Sequence, residues 1–296
     1  MVHSNGIKSE VKTITVLGTG IIGAPVAANL QKHKFEVRAW NRTRSKAEKL
    51  QSVGVTVFET PLEAVQDTDV IISLLKDGPV VLEVMQSVKE SLSKGTIWIQ
   101  MSTVGTNIDE LASFANQHEL IFYDAPVQGT KQPAEQGQLI ILVSGPTQYR
   151  ERMEPIFEAI GKRTVWVSEK PGTSSRLKLA LNSWVFALTH GVAESLTIAK
   201  ELGVDPALVV DVVTGGPMDN TYFQQKAKAI LTDDYTTSFS VANAVKDAQL
   251  VVTAMEKEAI QVDITRAGLQ RFQRAVDKGH GDKDMAASGL VGEKGE

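Results

Sequence analysis

Short apolar runs alternate with stretches of helical periodicity through the first half of the chain. Runs of roughly four to eight apolar residues between turn-forming residues are typical of buried strands, whereas apolar residues at i, i+3 and i+4 predict amphipathic helices. The runs predict strands at residues 13–17, 36–40, 55–58, 70–74, 96–100, 120–124, 138–144 and 163–167, and the periodic stretches predict helices at 23–32, 45–52, 61–66 and 79–92. This alternation indicates an α/β fold with a doubly wound, parallel, Rossmann-type sheet.

The pattern becomes purely helical after Pro171. Helical periodicity extends over residues 174–200, and no convincing strand follows. Further helices are predicted at 206–214, 222–230, 241–257 and 264–278. We therefore expect an α/β domain over residues 12–171 and an all-α domain over 172–291, with loose residues from about Val291 onward.

Composition narrows the classes of function. The chain has 296 residues, enough for two domains, and a net charge of -4 with scattered basic residues, so binding to nucleic acid or to a membrane surface is not expected. The absence of cysteine excludes thiolate catalysis and cysteine-ligated metals, and the five histidines are too widely spaced to predict a metal site. The polar start lacks the apolar core of a signal peptide, and no apolar run is long enough to span a membrane, so a cytoplasmic protein is expected.

A glycine-rich turn joins the first predicted strand to the first predicted helix. Gly18, Gly20 and Gly23 form the pattern G-x-G-x-x-G, with Ile21 and Ile22 before the last glycine. In dinucleotide-binding domains the first glycine allows a tight turn, the second lets the backbone approach a pyrophosphate, and the third lets the helix pack closely on the strand. Such a triplet also occurs in merely structural turns, but its place between a strand and a helix favours dinucleotide binding.

The turn after the second predicted strand indicates which dinucleotide binds. Sites that prefer NAD usually carry Asp or Glu there, about 20 residues beyond the glycines, to hold the ribose hydroxyls. This chain has Asn41, Arg42 and Thr43 instead, followed by Lys46. A guanidinium can hold the 2′-phosphate of NADP, and a threonine hydroxyl can donate a hydrogen bond to it. We therefore predict NADP(H) as the cofactor; the alternative is a solvated basic turn.

Two loops that follow predicted strands carry candidate ligand groups. Ser102 and Thr103 follow the strand at 96–100, and ligands of open α/β sheets bind beyond the carboxyl ends of strands. Both residues are equally well explained as caps of the next helix. In the second loop, Gly129 and Thr130 can offer backbone N–H groups to an anion, although on its own the segment is no more than a loop.

A lysine on the long helix is the candidate acid. Lys178 and Asn182 are four residues apart and share one helix face, among mostly apolar neighbours. Partial desolvation and the nearby helix N-terminus both disfavour the ammonium, so we expect a lowered pKa for Lys178. Such a lysine suits a general acid that protonates a carbonyl oxygen as hydride arrives. The competing interpretation is a lysine whose ammonium extends from an apolar face into solvent.

Together these segments resemble the β-hydroxyacid dehydrogenase family, which includes 3-hydroxyisobutyrate dehydrogenases and glyoxylate/succinic semialdehyde reductases. The resemblance runs from Thr13 to Ala287, nearly the whole chain. Its elements are the glycine turn, Ser102-Thr103-Val104, Asp124-Ala125-Pro126-Val127 with Gly129, Gly172…Lys178…Asn182, Phe239…Lys246-Asp247 and Gly281-Asp282-Lys283-Asp284. Several motifs in this order and spacing are far more specific than any one of them.

The resemblance implies roles for the matched residues. Lys178 and Asn182 would form a catalytic pair, and Thr103 would lie near the nicotinamide and the substrate. Lys246 would lie on the cofactor side of the site, with Asp247 beside it. Gly129 and Thr130 would hold the substrate carboxylate. No metal is implied, because the ammonium does the polarising that a metal ion would otherwise do. Family members usually associate through the helical domain, so a homodimer or homotetramer is expected.

Four positions depart from the family's usual pattern. Gln128 stands where the family usually has serine, close to the substrate carboxylate, and its longer amide can still donate a hydrogen bond. Gln100 replaces a more usual aspartate, and Ser174 replaces a glycine of the lysine motif. Arg176 is bulkier than the residue often found there. The change at Gln128 bears directly on which acid the protein prefers.

The leading hypothesis is an NADPH-dependent reductase of a small aldehyde acid. Residues 130–135 and the turn at 41–43 resemble the glyoxylate/succinic semialdehyde reductase branch. In this hypothesis Lys178 protonates the carbonyl oxygen and Asn182 fixes the geometry. The alternatives are a 3-hydroxyisobutyrate-type dehydrogenase working oxidatively, an imine reductase, which generally lacks a lysine at this position, and a non-catalytic NADP-binding module.

Overall fold

The computed structural model describes residues 11–292, which form two compact units. The first unit ends at Lys178 and the second begins at Leu179. The boundary inferred from the sequence lies at residue 171, so the structure assigns the first turns of the long helix to the α/β unit rather than to the helical one.

The first unit is built on one sheet. Its strands are β1 (Thr13–Leu17), β2 (Glu36–Trp40), β3 (Thr56–Val57), β4 (Val70–Ser73), β5 (Ile97–Gln100), β6 (Ile121–Asp124), β7 (Val127–Gln128), β8 (Leu139–Ser144) and β9 (Gly161–Ser168). Their order is β3-β2-β1-β4-β5-β6-β8-β7, with β9 also paired to β8. Strands β1 to β6 are parallel, which confirms the Rossmann-type prediction.

The end of the sheet differs from the prediction of a parallel sheet. β8 runs antiparallel to both β6 and β7, although β9 returns parallel to β8. β7 itself lies in a segment that the sequence suggested was a loop. A strand of two residues is too short to show an alternating pattern, so periodicity did not reveal it.

Helices cover the sheet of the first unit. They are α1 (Gly23–Lys32), α2 (Arg44–Glu48), α3 (Pro61–Val65), α4 (Gly78–Ser87), α5 (Ile108–Gln117), α6 (Lys131–Glu135) and α7 (Arg150–Ile160), and α8 (Thr173–Glu201) begins here. The helices predicted at 45–52 and 79–92 end instead in short 3₁₀ turns. Sequence reasoning overlooked α5, although its buried residues, Ile108, Leu111 and Phe114, follow helical spacing.

Side chains alternate between two cores along the central strands. Ile72 of β4 and Ile99 of β5 belong to the core on one face of the sheet, whereas Ile71 and Trp98 belong to the core on the other. All four are fully buried. Because both faces are covered, three consecutive apolar residues precede the polar last residue of each strand, and polar and apolar residues do not alternate.

The second unit is helical over its described residues, as predicted. It contains the rest of α8, then α9 (Ala207–Val213), α10 (Thr221–Leu231), α11 (Val241–Lys257), α12 (Asp263–Asp277) and a 3₁₀ segment, Met285–Val291. Phe186, Phe272 and Met285 belong to its main core. In contrast, α9 has no buried residue, and its Leu208 and Val212 are 53% and 80% exposed.

The end of the described chain is more ordered than expected. Val291 closes the 3₁₀ segment and is buried, so the looseness predicted from this residue onward is wrong for Val291 itself. Residues 293–296, to which the same prediction applies, lie outside the described residues. Among the helices of residues 11–292, none combines the length and the apolar character needed to cross a membrane.

Candidate active site

The glycine-rich turn leaves β1 at its carboxyl end and enters α1. Gly18 has a φ of +102°, and a Cβ atom there would clash with the carbonyl group of Leu74 in the loop after β4. A Cβ at Gly23 would clash with the carbonyl oxygen of Gly18, so α1 starts in direct contact with the turn. At Gly20 a Cβ would meet nothing within 4 Å. The turn is therefore crowded towards the protein and open at Gly20, where a pyrophosphate would approach.

The start of α1 adds donors to this opening. No side chain caps its N-terminus, and the residue before the helix, Ile22, is only partly buried. Ile21 is 39% exposed. Uncapped N–H groups at a helix N-terminus carry partial positive charge and bind anions. The turn and the helix together thus have the shape and the charge that a dinucleotide pyrophosphate requires.

Asn41 ties the glycine-rich turn to the turn after β2. Its Oδ1 accepts a hydrogen bond of 3.0 Å from the backbone N–H of Thr19, and its Nδ2 donates one of 2.9 Å to the carbonyl oxygen of Thr43. The backbone N–H of Gly18 also donates to the carbonyl oxygen of Trp40 at 2.8 Å. The structure therefore places the two predicted cofactor-binding turns side by side.

The basic residues of the second turn differ in their surroundings. Arg44 forms ion pairs with Glu48 and Glu59. Arg42 and Lys46 are exposed, and neither forms an ion pair with any residue that the structure describes. Two positive charges next to the glycine-rich turn are thus available to a phosphate group, while the third is already neutralised.

The loop after β5 is held by Ser102. Its Oγ accepts a hydrogen bond of 2.8 Å from the backbone N–H of Leu75, and its N–H donates to Oε1 of the buried Gln100 at 2.6 Å. The alternative that Ser102 or Thr103 caps the next helix is wrong, because no side chain caps either the 3₁₀ turn at Gly105–Asn107 or α5. Thr103 lies half-buried beside Ser102.

Asp124, at the end of β6, anchors the start of α8. Its carboxylate accepts hydrogen bonds from the N–H of Gly172 at 3.0 Å, the N–H of Ser175 at 2.8 Å and the hydroxyl of Ser175 at 2.7 Å. Ser144 and Ser174 form a second link of 2.7 Å between their hydroxyls. Sequence reasoning placed Asp124 in a family motif without a role, and its position at the carboxyl end of a strand was the available signal.

Two departures from the family pattern contribute to this anchor. Ser174, in place of glycine, supplies the hydroxyl that meets Ser144. Arg176 donates to the carbonyl oxygen of Gly172 at 3.1 Å and pairs with Asp109 at 2.7 Å. Both substitutions thus fasten the first turn of α8 to the α/β unit.

Asp124→Asn is expected to keep this anchor and to remove a pH dependence. An asparagine can accept from the two N–H groups and donate to the Ser175 hydroxyl. Burial raises the pKa of Asp124 to about 6. The hydrogen bonds from Ser175 and Gly172 lower this pKa, but by less than burial raises it. A raised folded-state pKa stabilises the fold at pH values below the unfolded pKa, and this contribution is lost as the pH rises through about 6.

Urea denaturation of both proteins at two pH values tests this expectation. When the pH is lowered from 7 to 5, the free energy of unfolding of the wild type should rise by about 1 kcal/mol more than that of Asp124→Asn. The size follows because one pKa unit corresponds to about 1.4 kcal/mol. Asp124→Ala, which loses all three hydrogen bonds, should be less stable than either protein at both values. Equal pH dependence of wild type and Asp124→Asn would show that Asp124 does not titrate in this range.

Lys178 lies on the second turn of α8 and is only 8% exposed. Its Nζ donates a hydrogen bond of 2.7 Å to Oε1 of Gln128, at the end of β7. The alternative of an ammonium extended into solvent is therefore wrong. The structure brings together the predicted acid and one of the residues that depart from the family pattern.

Gly129 and Thr130 continue the chain from Gln128. Gly129 has a φ of +135°, and a Cβ there would lie 2.9 Å from Cδ2 of Leu139 and 3.2 Å from Cβ of Pro133. Thr130 is half-buried and precedes the short helix α6. Only glycine fits the turn at position 129 without strain.

The remaining predicted residues form a network in the second unit. Nδ2 of Asn182 donates to Oδ2 of Asp247 at 3.1 Å, and Oδ1 of Asp247 pairs with Nζ of Lys246 at 2.6 Å. Asn182 and Asp247 are buried, whereas Lys246 is partly exposed. One carboxylate thus fixes both the amide and the ammonium.

Two family models match the chain. The model described as the NAD binding domain of 6-phosphogluconate dehydrogenase matches residues 13–168. The model described as NAD-binding of NADP-dependent 3-hydroxyisobutyrate dehydrogenase matches residues 172–289. Together the matches cover most of the described chain.

Named relatives also extend over nearly the whole chain. Glyoxylate/succinic semialdehyde reductase 1 of Arabidopsis thaliana is 31% identical over 92% of this chain and 95% of that protein. Glyoxylate/succinic semialdehyde reductase 2, chloroplastic, of the same plant is 29% identical over 95% of this chain and 80% of that protein. Among solved structures, 3-hydroxyisobutyrate dehydrogenase of Mycobacterium tuberculosis with L-serine has a TM-score of 0.86 and 26% identity, covering 96% of this chain and 100% of that one.

Proposed function

Since the chain belongs to the β-hydroxyacid dehydrogenase family of NAD(P)-dependent oxidoreductases, we propose that it uses NADPH to reduce a small aldehyde acid, of the glyoxylate or succinic semialdehyde type, to the hydroxy acid. The observation that carries this proposal is the buried ammonium of Lys178, held at 2.7 Å by the amide oxygen of Gln128. The names of the two Arabidopsis relatives favour these substrates over 3-hydroxyisobutyrate. The presence of Lys178 counts against an imine reductase.

The residues of the first unit fit a phosphorylated dinucleotide. The space at Gly20 and the uncapped start of α1 suit the pyrophosphate. Arg42 and Lys46 would hold the 2′-phosphate, with Asn41 keeping their turn in place. When bound, the nicotinamide supplies the hydride that the carbonyl carbon accepts.

Lys178 acts as the general acid in this proposal. Its ammonium donates a hydrogen bond to the carbonyl oxygen and transfers a proton to it as the π electrons move onto that oxygen. The amine that remains regains a proton from water. We assign Asn182 the role of orienting the substrate, and Asp247 the role of holding the Asn182 amide and the Lys246 ammonium in place.

The other groups bind the substrate or the cofactor. Gly129 and Thr130 are assigned to the substrate carboxylate, and Thr103 to the space next to the nicotinamide. Lys246 is assigned to the cofactor. The cytoplasmic location and the homodimer or homotetramer stay predictions.

A substrate panel tests the proposed reaction. Glyoxylate, succinic semialdehyde and methylmalonate semialdehyde are assayed with NADPH and with NADH, and the oxidation of 3-hydroxyisobutyrate is assayed with NADP+ and with NAD+. Reduction of at least one of the first two acids with NADPH is expected to be the fastest reaction. Tight binding of NADPH without turnover of any acid would instead support the non-catalytic module.

Arg42→Asp is expected to weaken NADPH selectively. A hydrogen bond to a charged group contributes about 1.5–3 kcal/mol, so its loss should raise the KM for NADPH about 10- to 100-fold. The KM for NADH should change little, because that cofactor lacks the 2′-phosphate. Arg163→Asp is the matched control, since Arg163 is also exposed but lies on β9, at the other end of the sheet from β2. Equal effects of Arg42→Asp on both cofactors would contradict the assignment to NADP.

A further inference from the structure

We propose that Gln128 selects acids whose carboxylate is bonded directly to the carbonyl carbon, because its amide oxygen holds the Lys178 ammonium while its amide nitrogen binds the substrate carboxylate. The proposal rests on the function proposed above and names the substrate class of that site. It makes Gln128 a positioning residue for Lys178 and a specificity residue for the acid.

The hydrogen bond to Lys178 fixes the orientation of the Gln128 amide. An ammonium only donates, so the atom that it meets at 2.7 Å must be the amide oxygen. The amide nitrogen then points away from Nζ. Within residues 11–292 this nitrogen donates to no other group, and Gln128 is partly exposed. A polar N–H group is therefore presented next to the acid.

Both ends of this hydrogen bond sit on rigid backbone. Gln128 ends β7, where it pairs with Ile140 of β8, and the next residue, Gly129, packs against Leu139. On the other side, Asp124 holds the first turn of α8 through three hydrogen bonds. These contacts hold the backbone at both ends in place, and the hydrogen bond itself limits the distance between the ammonium and the amide nitrogen.

This distance sets the size of the substrate. The oxygen and nitrogen of a primary amide are about 2.2 Å apart, given bond lengths near 1.2 and 1.3 Å. Added to the hydrogen bond of 2.7 Å, this places Nζ of Lys178 and Nε2 of Gln128 no more than about 5 Å apart. Two donors this close can bind the carbonyl oxygen and a carboxylate oxygen of an unfolded substrate only if a short chain separates the two oxygens.

A 2-oxo acid of the glyoxylate type meets this condition. Its carbonyl and carboxylate carbons are directly bonded, so their oxygens can lie on the same side of that bond and face both donors. In succinic semialdehyde two methylene groups separate the two functional groups, and an extended chain places the carboxylate beyond the reach of Gln128. Bringing it back would require folding the chain and would lose conformational entropy.

The same contact affects the protonation of Lys178. An amide oxygen stabilises an ammonium more than a neutral amine, because the hydrogen bond is charge-assisted. Gln128→Glu should therefore move the alkaline fall of kcat/KM to higher pH, and Gln128→Met should move it to lower pH. If Gln128 had a purely structural role, the two substitutions would not shift the alkaline fall of kcat/KM in opposite directions.

The test compares two acids in three proteins: wild type, Gln128→Ser, and Gln132→Ser as the matched control, since Gln132 is exposed on α6 nearby. The wild type should prefer glyoxylate to succinic semialdehyde in kcat/KM. Gln128→Ser should move that ratio towards succinic semialdehyde by at least about tenfold, a change worth about 1.4 kcal/mol, whereas Gln132→Ser should leave it unchanged. An unchanged ratio and an unchanged pH profile in the Gln128 variants would overturn the inference while leaving the proposed reaction intact.

A binding measurement separates the two proposals. The dissociation constants of glycolate and 4-hydroxybutyrate are measured by calorimetry with NADPH present, because a hydroxy acid and NADPH are both reduced and cannot react with each other. A preference of the wild type for glycolate that disappears in Gln128→Ser supports the role of Gln128 even if neither aldehyde is reduced. Turnover of both aldehydes with no such preference refutes that role and supports only the function proposed above.

Discussion

Replacement of Lys178 by methionine is expected to lower kcat for glyoxylate reduction by about 10²- to 10⁴-fold, the usual contribution of a positioned general acid. Methionine approximates the length and apolar stem of the lysine, so the packing of α8 should survive. Stopped-flow measurement of NADPH oxidation gives kcat, and fluorescence titration gives the affinity for NADPH. We expect that affinity to stay within about threefold, because the substitution removes proton donation rather than cofactor contacts.

Two further variants distinguish proton donation from a structural effect. Lys131→Met removes an exposed lysine of the same unit and should retain full activity. Nζ of Lys131 lies 3.9 Å from Oε1 of Glu135, and such an exposed ion pair contributes little to stability. Lys178→Ala leaves room for a small amine, so added methylammonium should restore part of the lost rate. Full turnover by Lys178→Met would remove Lys178 from the mechanism.

Asp284→Ala is expected to lower the free energy of unfolding by about 3–5 kcal/mol, because it leaves a buried lysine without its counter-ion. Nζ of Lys226 lies 2.6 Å from Oδ1 of Asp284, and the two side chains are only 7% and 5% exposed. The carboxylate also accepts hydrogen bonds from Ser238 and from the N–H of Ala286. All of these groups belong to the second unit, so the loss should appear as reduced stability of the helical core.

The pKa of Asp284 agrees with this role. Burial alone would raise it, but the charge of Lys226 and the hydrogen bonds from Lys226 and Ser238 outweigh burial and lower it. A carboxyl group with a lowered folded-state pKa stabilises the fold above its unfolded pKa and loses this contribution as the pH falls. Stability at neutral pH therefore includes the contribution of Asp284.

Guanidinium denaturation at pH 7 measures the expected loss. Asp282→Ala is the matched control, since Asp282 is an exposed neighbour in the same Gly-Asp-Lys-Asp segment, and its stability should stay within about 0.5 kcal/mol of the wild type. Lys226→Met combined with Asp284→Leu should recover part of the stability lost in Asp284→Ala, because no unpaired charge remains. A loss below about 1 kcal/mol in Asp284→Ala would show that Lys226 finds water or another partner.

Parts of the fold and of the site were accessible from the sequence because they depend on local chemistry. The alternation of apolar runs and helical stretches predicted β1 to β6 and the helical second unit. The glycine spacing predicted the turn at 18–23, whose steric demands at Gly18 and Gly23 involve the backbone itself. The basic turn after β2 was recognisable because it follows directly from the strand and lacks an acidic residue.

Other features of the fold and of the site could not be predicted from local sequence patterns. The strand β7 is too short to produce a periodicity, and the antiparallel direction of β8 depends on how the chain turns after β6. The role of Asp124 was missed because its partners, Gly172 and Ser175, follow 48 and 51 positions later. The sequence left open whether Ser102 caps the next helix, and the structure shows that its hydroxyl instead accepts from the N–H of Leu75, in the loop after a neighbouring strand.

By itself, then, the sequence determined the α/β-then-helical order of the chain, the glycine-rich turn and the basic character of the turn beside it. These follow from backbone sterics and side-chain periodicity over a few consecutive residues. Only the tertiary structure decided that Lys178 is buried and hydrogen-bonded to Gln128, 50 positions away in the sequence. The same holds for the ion pair of Asp284 with Lys226, 58 positions away. Such pairs depend on which strands and helices become neighbours, and hydrophobic burial is non-directional and does not encode those partners locally.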